Sequence, residues 1–219
     1  MNSRQSTGFD YIRDPAEIYR RSFATVRAET ALDGIPAELH GLALRVVHAS
    51  GSPELAAELA WNAAPMAAGR AALAAGAAIF VDAEMVGAGI IRKRLSAGNE
   101  VICTLNDETV PARAAEIGNT RSAAAVDLWG ERLGGAIAVF GNAPTALFRL
   151  LERLAEGAAP PAVILGFPVG FIGAAESKAA LIAHAGDVPF VTLKGRRGGS
   201  AIAAAAVNAL VADGEDDGR

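Results

Sequence analysis

Five short apolar runs, each followed by a stretch with helical patterning, constrain this chain more than anything else in it. They are "AIFVD" ending at Asp82, "VICTL" at Leu105, "AIAVFG" at Gly141, "AVILGF" at Phe167 and "PFVTLKG" at Gly195. A strand with one wet face alternates apolar and polar residues; these runs hardly alternate, so both of their faces must be covered. The intervening stretches, "TRSAAAVDLWGERLGG", "PTALFRLLERLAEG" and "AAESKAALIAHAG", read as helices, as does "GGSAIAAAAVNALVA" after the last run. Strand and helix in alternation predict an α/β fold. The expectation is one three-layer domain, with a central, mainly parallel sheet of about five strands flanked by helices.

The first third is predicted to be helical. Asp14, Pro15 and Glu17 form a start signal of cap, first-turn proline and acid. Ile18, Phe23 and Val26 follow as a core-facing stripe. A second helix starts at Pro36, carries Leu39, Leu42 and Val46 on one face, and stops at Ser50-Gly51. Ser52-Pro53-Glu54 should open a third helix over "PELAAELAW", and "PMAAGRAALAAG" forms a fourth. The single domain is drawn over residues 10–212, between a disordered N-terminus, 1–9, and a charged tail, 213–219. A length of 219 residues suits one domain.

Composition excludes several function classes. A net charge of −4 argues against nucleic acid as a partner. The longest uncharged run, Gly157 to Ala175, holds three prolines and four glycines, so no membrane helix is expected. The N-terminal residues lack the apolar core of a signal peptide. One cysteine, Cys103, suits a reducing cytoplasm, and no His/Cys/Asp grouping has the spacing of a metal site. Neither metal nor cofactor is expected.

Ligands of open parallel sheets bind beyond the carboxyl ends of the strands. Those ends are "DAEMVGAG", "LNDETVP", "GNAPTA", "GFPVGFIGAAESK" and "GRRGGSA", four of them glycine-rich. "VGAGII" begins like a dinucleotide fingerprint but has Arg92 where the third glycine belongs, which disfavours a nucleotide. "GFPVGFIGAAESK" lacks a phosphate loop's ending and reads as a turn admitting a bulky ligand. Ser177 and Lys178 read as first-turn capping and a solvated lysine. Asp82 and Glu84 form either a carboxylate pair or turn caps. In "GNTRS", Asn119 and Thr120 open a helix whose first turn carries Arg121, where the dipole disfavours a cation. Arg121 therefore binds either a ligand carboxylate or a surface acid. Asn142 in "GNAPTA", and Arg196 and Arg197 beside a helix start, are further candidates for anionic groups. Three histidines remain: His40, expected exposed, and His48 and His184 near helix C-termini, where the dipole favours imidazolium. Locally, none of them stands out as functional.

Taken together, "DYIRDPAEIYRRSF", "VVHASGS", "DAEMVGAGI", "AGNEVICTL", "AEIGNTRSAAA", "GNAPTALF", "GFPVGFIGAAESK" and "GRRGGSA" resemble the precorrin-8X methylmutases of cobalamin synthesis, in family order from about residue 10 to 208. The resemblance implies an isomerase that moves a methyl group from C-11 to C-12 of precorrin-8X, giving hydrogenobyrinate. It implies His48 as the catalytic histidine and Ser22, in "YRRSF", as a substrate contact. Arg121, and after it Arg196 and Arg197, would pair with the carboxylates of the ring, beside Asn119, Thr120 and Asn142. A homodimer, with the pocket at or near the subunit contact, is also implied. Two alternatives stay open: the cobalt-containing ring of the cobalt-early pathway as substrate, and a corrin carrier without turnover.

Overall fold

The computed structural model describes residues 9–211. The expected disordered end and charged tail lie outside these residues, apart from Phe9. In chain order the elements are α1 (Pro15–Glu29), α2 (Ala37–Ser50), a 3-10 turn (Pro53–Glu58), β1 (Leu59–Trp61), α3 (Pro65–Ala74), β2 (Ile79–Val81), α4 (Glu84–Gly89) and β3 (Val101–Ile102). There follow α5 (Val110–Glu116), α6 (Arg121–Asp127), β4 (Ile137–Phe140), α7 (Pro144–Ala155), β5 (Val163–Gly166), α8 (Ala174–His184), β6 (Phe190–Leu193) and α9 (Ser200–Leu210).

The sheet runs β1-β6-β5-β4-β2-β3. From β3 to β6 every pairing is parallel, as the apolar runs required. Side chains alternate across it with period two. Ile79, Val81, Ile137, Val139, Val163 and Leu165 pack against α2, α3, α4 and α9. Phe80, Ala138, Phe140 and Ile164 pack on the other face against α7, α8 and Trp129, which stacks on Phe80 at 5.1 Å. Both faces are thus sealed by helices.

β1 corrects the sequence reading. "PELAAELAW" was expected to be one helix, but only Pro53–Glu58 is helical, and Leu59–Trp61 pairs antiparallel with β6, Leu59 opposite Leu193. Without it, β6 would present a row of unpaired backbone groups. Satisfying that edge outweighs the weak helix propensity of three residues. The sheet therefore has six strands.

Small side chains let the helices approach closely. A Cβ on Gly89 of α4 would come within 2.6 Å of the Ala204 Cβ on α9. The glycines of "VGAGII" thus serve helix packing. α1 packs chiefly on α2 and buries Phe23, while Ile18, expected in the core, is exposed, because five residues turn it roughly 140° around the helix from Phe23. Asp14 caps α1 through the Ala16 amide, 2.9 Å, as its motif predicted. Among the described residues no helix is long and apolar enough to cross a membrane.

Candidate functional site

α2 ends at Gly51, whose φ of 64° stops the helix and leaves His48 in its last turn. Ser22 on α1 lies across from it, with Oγ 3.1 Å from Nδ1 of the imidazole. Phe23 stacks on the same ring, centroids 4.6 Å apart and planes 20° from parallel. Arg45, one turn earlier on α2, lies over the far side of Phe23 at 5.7 Å and donates to the Tyr19 hydroxyl at 3.5 Å. Two helices thus fix the ring's plane and one of its nitrogens, although His48 as a whole stays exposed.

Burial beneath Phe23, and then the positive charge of Arg45, push the His48 pKa below the ordinary 6.5. The helix dipole alone suggested the opposite; local desolvation and a cation one turn away outweigh it. His48 is therefore neutral at pH 7. The Ser22 contact serves either tautomer of the neutral ring; in the one where the hydroxyl donates to Nδ1, the proton sits on Nε2 and is the donor offered to a ligand. The pair lines a cleft of about 410 Å³ with Val26, Glu29, Val47 and Pro53.

The other histidines differ. His40 is half-buried rather than exposed, because Nε2 donates to the Ile35 carbonyl at 2.8 Å and closes the turn before α2. His184 is exposed at the end of α8.

Beyond the strand ends, Asp82 is buried and accepts from the amides of Gly141 (2.8 Å), Asn142 (2.9 Å) and Ala143 (2.7 Å). Burial raises its pKa and the three amides pull the other way. Glu84 instead faces Asn106, at 3.4 Å. The cap reading of Asp82 accounts for these bonds, and the two acids do not form a working pair.

Asn119 accepts from the Thr120 amide at 2.8 Å, and Thr120 caps α6 through the Ala123 amide. The Thr120 hydroxyl also meets that of Thr145, 2.7 Å away at the start of α7. Arg121 is exposed, with one guanidinium nitrogen on the Leu105 carbonyl at 3.2 Å and no ion pair among the described residues. Asn142 is exposed, and its carbonyl accepts from Val169. Arg196 is exposed and lies over the Phe171 ring at 5.4 Å. Arg197 is engaged by Glu54 (2.6 Å) and Glu58 (2.5 Å) of the 3-10 turn.

Lys178 overturns the solvated reading: it is fully buried, and Nζ donates to the Arg197 carbonyl. α8 lies flat on the sheet, so this position faces inward. Ser177 bonds back to the Ala174 carbonyl at 3.1 Å, within the first turn. Four large apolar side chains are exposed here, Val169, Phe171 and Ile172 in the loop after β5 and Met85 on α4.

The structure thus joins Ser22 to His48, and Thr120 to the start of α7. The His48 cleft is lined from α1, α2 and the segment after α2, and the strand-end candidates stand apart from it. Sequence reasoning missed Arg45, Tyr19 and Thr145, and misread Lys178. A signal for the first two existed: Tyr19, Ser22 and Phe23 share one helical face, and Arg45 precedes His48 by three. Among the described residues no group of three His, Cys, Asp or Glu side chains is placed to hold a metal ion.

A family model described as precorrin-8X methylmutase matches residues 17–213. The chain belongs to the precorrin-8X methylmutase family. A precorrin-8X methylmutase of Pseudomonas aeruginosa is 61% identical over 94% of this chain and 99% of its own length. One from Sinorhizobium sp is 57% identical, over 94% and 98%. A crystal structure titled as the precorrin-8x methyl mutase of Thermus thermophilus superposes with a TM-score of 0.80 at 38% identity, covering 89% of this chain and 95% of that one. The methylmutase family is one of isomerases, and the α/β fold of this chain is shared with that structural neighbour.

Proposed function

We propose that this protein moves the methyl group of precorrin-8X from C-11 to C-12, giving hydrogenobyrinate, with His48 as the acid that assists the shift. The observation that carries the role of His48 is the Ser22–His48 pair in an open cleft, the ring stacked on Phe23. The reaction is a 1,5 shift within one molecule: the C-11 to methyl bond breaks, the C-12 to methyl bond forms, and nothing is added or lost. The protein must hold a flat ring fringed with carboxylates and draw electron density from it. An Nε2–H hydrogen-bonded to a ring nitrogen does the second, and one preorganised donor of this kind is worth roughly 10² to 10³-fold.

Arg121 and Arg196, exposed and free of acids among the described residues, suit the carboxylates of the substrate. Arg197 supports them less directly, since two glutamates engage it. Asn119, Thr120 and Asn142 supply polar edges beside those arginines. α8 and α9 begin without a side-chain cap, which leaves amides open to anions. Relatives at 61% and 57% identity bear the precorrin-8X name, which favours the cobalt-free ring of the cobalt-late pathway.

A homodimer follows from the same reading. Phe171 and Ile172 are 88% and 91% exposed, more apolar surface at one loop than a monomer ordinarily leaves open. A single-chain mass by sedimentation equilibrium would overturn it. A cytoplasmic location accords with the lone Cys103.

Anaerobic incubation with precorrin-8X, followed by absorbance, tests the activity. The wild type converts it, whereas His48→Ala binds the ring and does not. Turnover by His48→Ala at the wild-type rate refutes the histidine's role, and binding without turnover by the wild type leaves a carrier.

A further inference from the structure

Lys178 lies on the second turn of α8 and is fully buried. Among the described residues its ammonium meets one hydrogen-bond acceptor, the Arg197 carbonyl, and no carboxylate at ion-pair distance. Burial lowers its pKa to about 8, with the nearby charge of Glu58 acting the other way. A methionine would fill this inward position without the cost of desolvating a charge. The ammonium therefore matters for the peptide it holds.

That peptide belongs to the loop after β6, which is restrained on every other side too. Gly199 donates to the Phe167 carbonyl at 2.9 Å, and Gly170 donates to the Arg196 carbonyl at 3.3 Å. A Cβ on Gly198 would lie 2.3 Å from the Phe167 oxygen, so the loops after β5 and β6 touch backbone to backbone. The Arg197 side chain is tied to Glu54 and Glu58. What remains outward is the Arg196 side chain over Phe171, next to the uncapped start of α9.

We propose that Lys178 is a positioning residue: by holding the Arg197 carbonyl it fixes the loop after β6 so that Arg196 and the first amides of α9 meet a carboxylate of the tetrapyrrole. The proposal rests on the methylmutase reading and extends it to a residue that never touches the substrate. None of the loop's residues lines the His48 cleft, so the proposal predicts a change in binding rather than in the chemical step.

Absorbance titration with hydrogenobyrinate, paired with precorrin-8X turnover, tests it. Lys178→Met should raise the product Kd about 10-fold, the effect of losing one hydrogen bond from a charged donor, with kcat at saturation within about 3-fold of wild type. Arg196→Ala should raise Kd similarly, and the double variant should bind more tightly than the product of the two single effects allows, since Lys178 acts in part through Arg196. A merely structural lysine would lower Tm and give additive effects. Wild-type affinity in Lys178→Met, or additivity with Arg196→Ala, overturns the proposal. Should Lys178→Met not fold, Gly198→Ala carries the test. It forces the same loop away from Phe167 and should reproduce the coupled loss; unchanged affinity there overturns the proposal equally. A wild-type protein that neither binds nor converts the ring sinks the methylmutase reading itself.

Discussion

Replacing Ser22 by alanine isolates what the hydroxyl does for His48. The Oγ to Nδ1 contact of 3.1 Å is a single, uncharged hydrogen bond at a partly exposed position. Such a bond is worth about 0.5–1.5 kcal/mol net. The Phe23 stack at 4.6 Å survives the change and keeps the ring plane in place. What is lost is the preference for the tautomer that carries its proton on Nε2, so the rate should fall roughly 2- to 12-fold at 1.4 kcal/mol per decade. His48→Ala removes the donor itself and should lower the rate by about 10² to 10³-fold. The two residues form one device, so Ser22→Ala should cost nothing further in the His48→Ala background. Single-turnover conversion of precorrin-8X, followed by absorbance, measures all four corners of this cycle. A further drop in the double variant would mean that Ser22 contacts the substrate in its own right. A loss in Ser22→Ala as large as in His48→Ala would refute the orienting role.

Two other outcomes follow from the same geometry. With the neutral Nε2–H form as the donor and the His48 pKa below 6.5, kcat/KM should be flat at neutral pH and change only on the acid side, where the proton taken up by Nδ1 reverses its hydrogen bond with Ser22. Arg45→Met removes a positive charge that disfavours imidazolium, so this acid limb should move up toward 6.5; a rate that instead declines as pH rises through the limb would make imidazolium the acting form. Asp82→Ala leaves the amides of Gly141, Asn142 and Ala143 without their acceptor, at about 1–3 kcal/mol for each that stays buried, so urea unfolding should show a loss of about 3 kcal/mol or more. A loss under about 1 kcal/mol would show that water replaces the carboxylate.

How much was legible in the sequence depends on whether a feature is local. The strands at Ile79–Val81, Ile137–Phe140, Val163–Gly166 and Phe190–Leu193 were visible because continuous apolar runs mean burial on two faces, whatever the neighbours are. The cap at Asp14 was equally local. Resemblance pointed to His48 and Ser22, but no spacing revealed that they touch, being 26 residues apart. The edge strand Leu59–Trp61 exists because β6 is open on that side, and the open side is a property of the assembled sheet. Lys178 looked solvated because lysines mostly are. Only the docking of α8 on the sheet turned it inward, toward a carbonyl 19 residues on. The same holds for Arg197, whose acids lie on a turn 139 and 143 residues away, and for the lowered pKa of His48, which requires Phe23 to arrive from another helix. Sequence by itself determined which apolar runs are withdrawn from water as strands, because that is written in neighbouring side chains. The tertiary structure alone decided which charges end up paired, buried or free, because electrostatic environment depends on distances through space that the chain closes only when it packs.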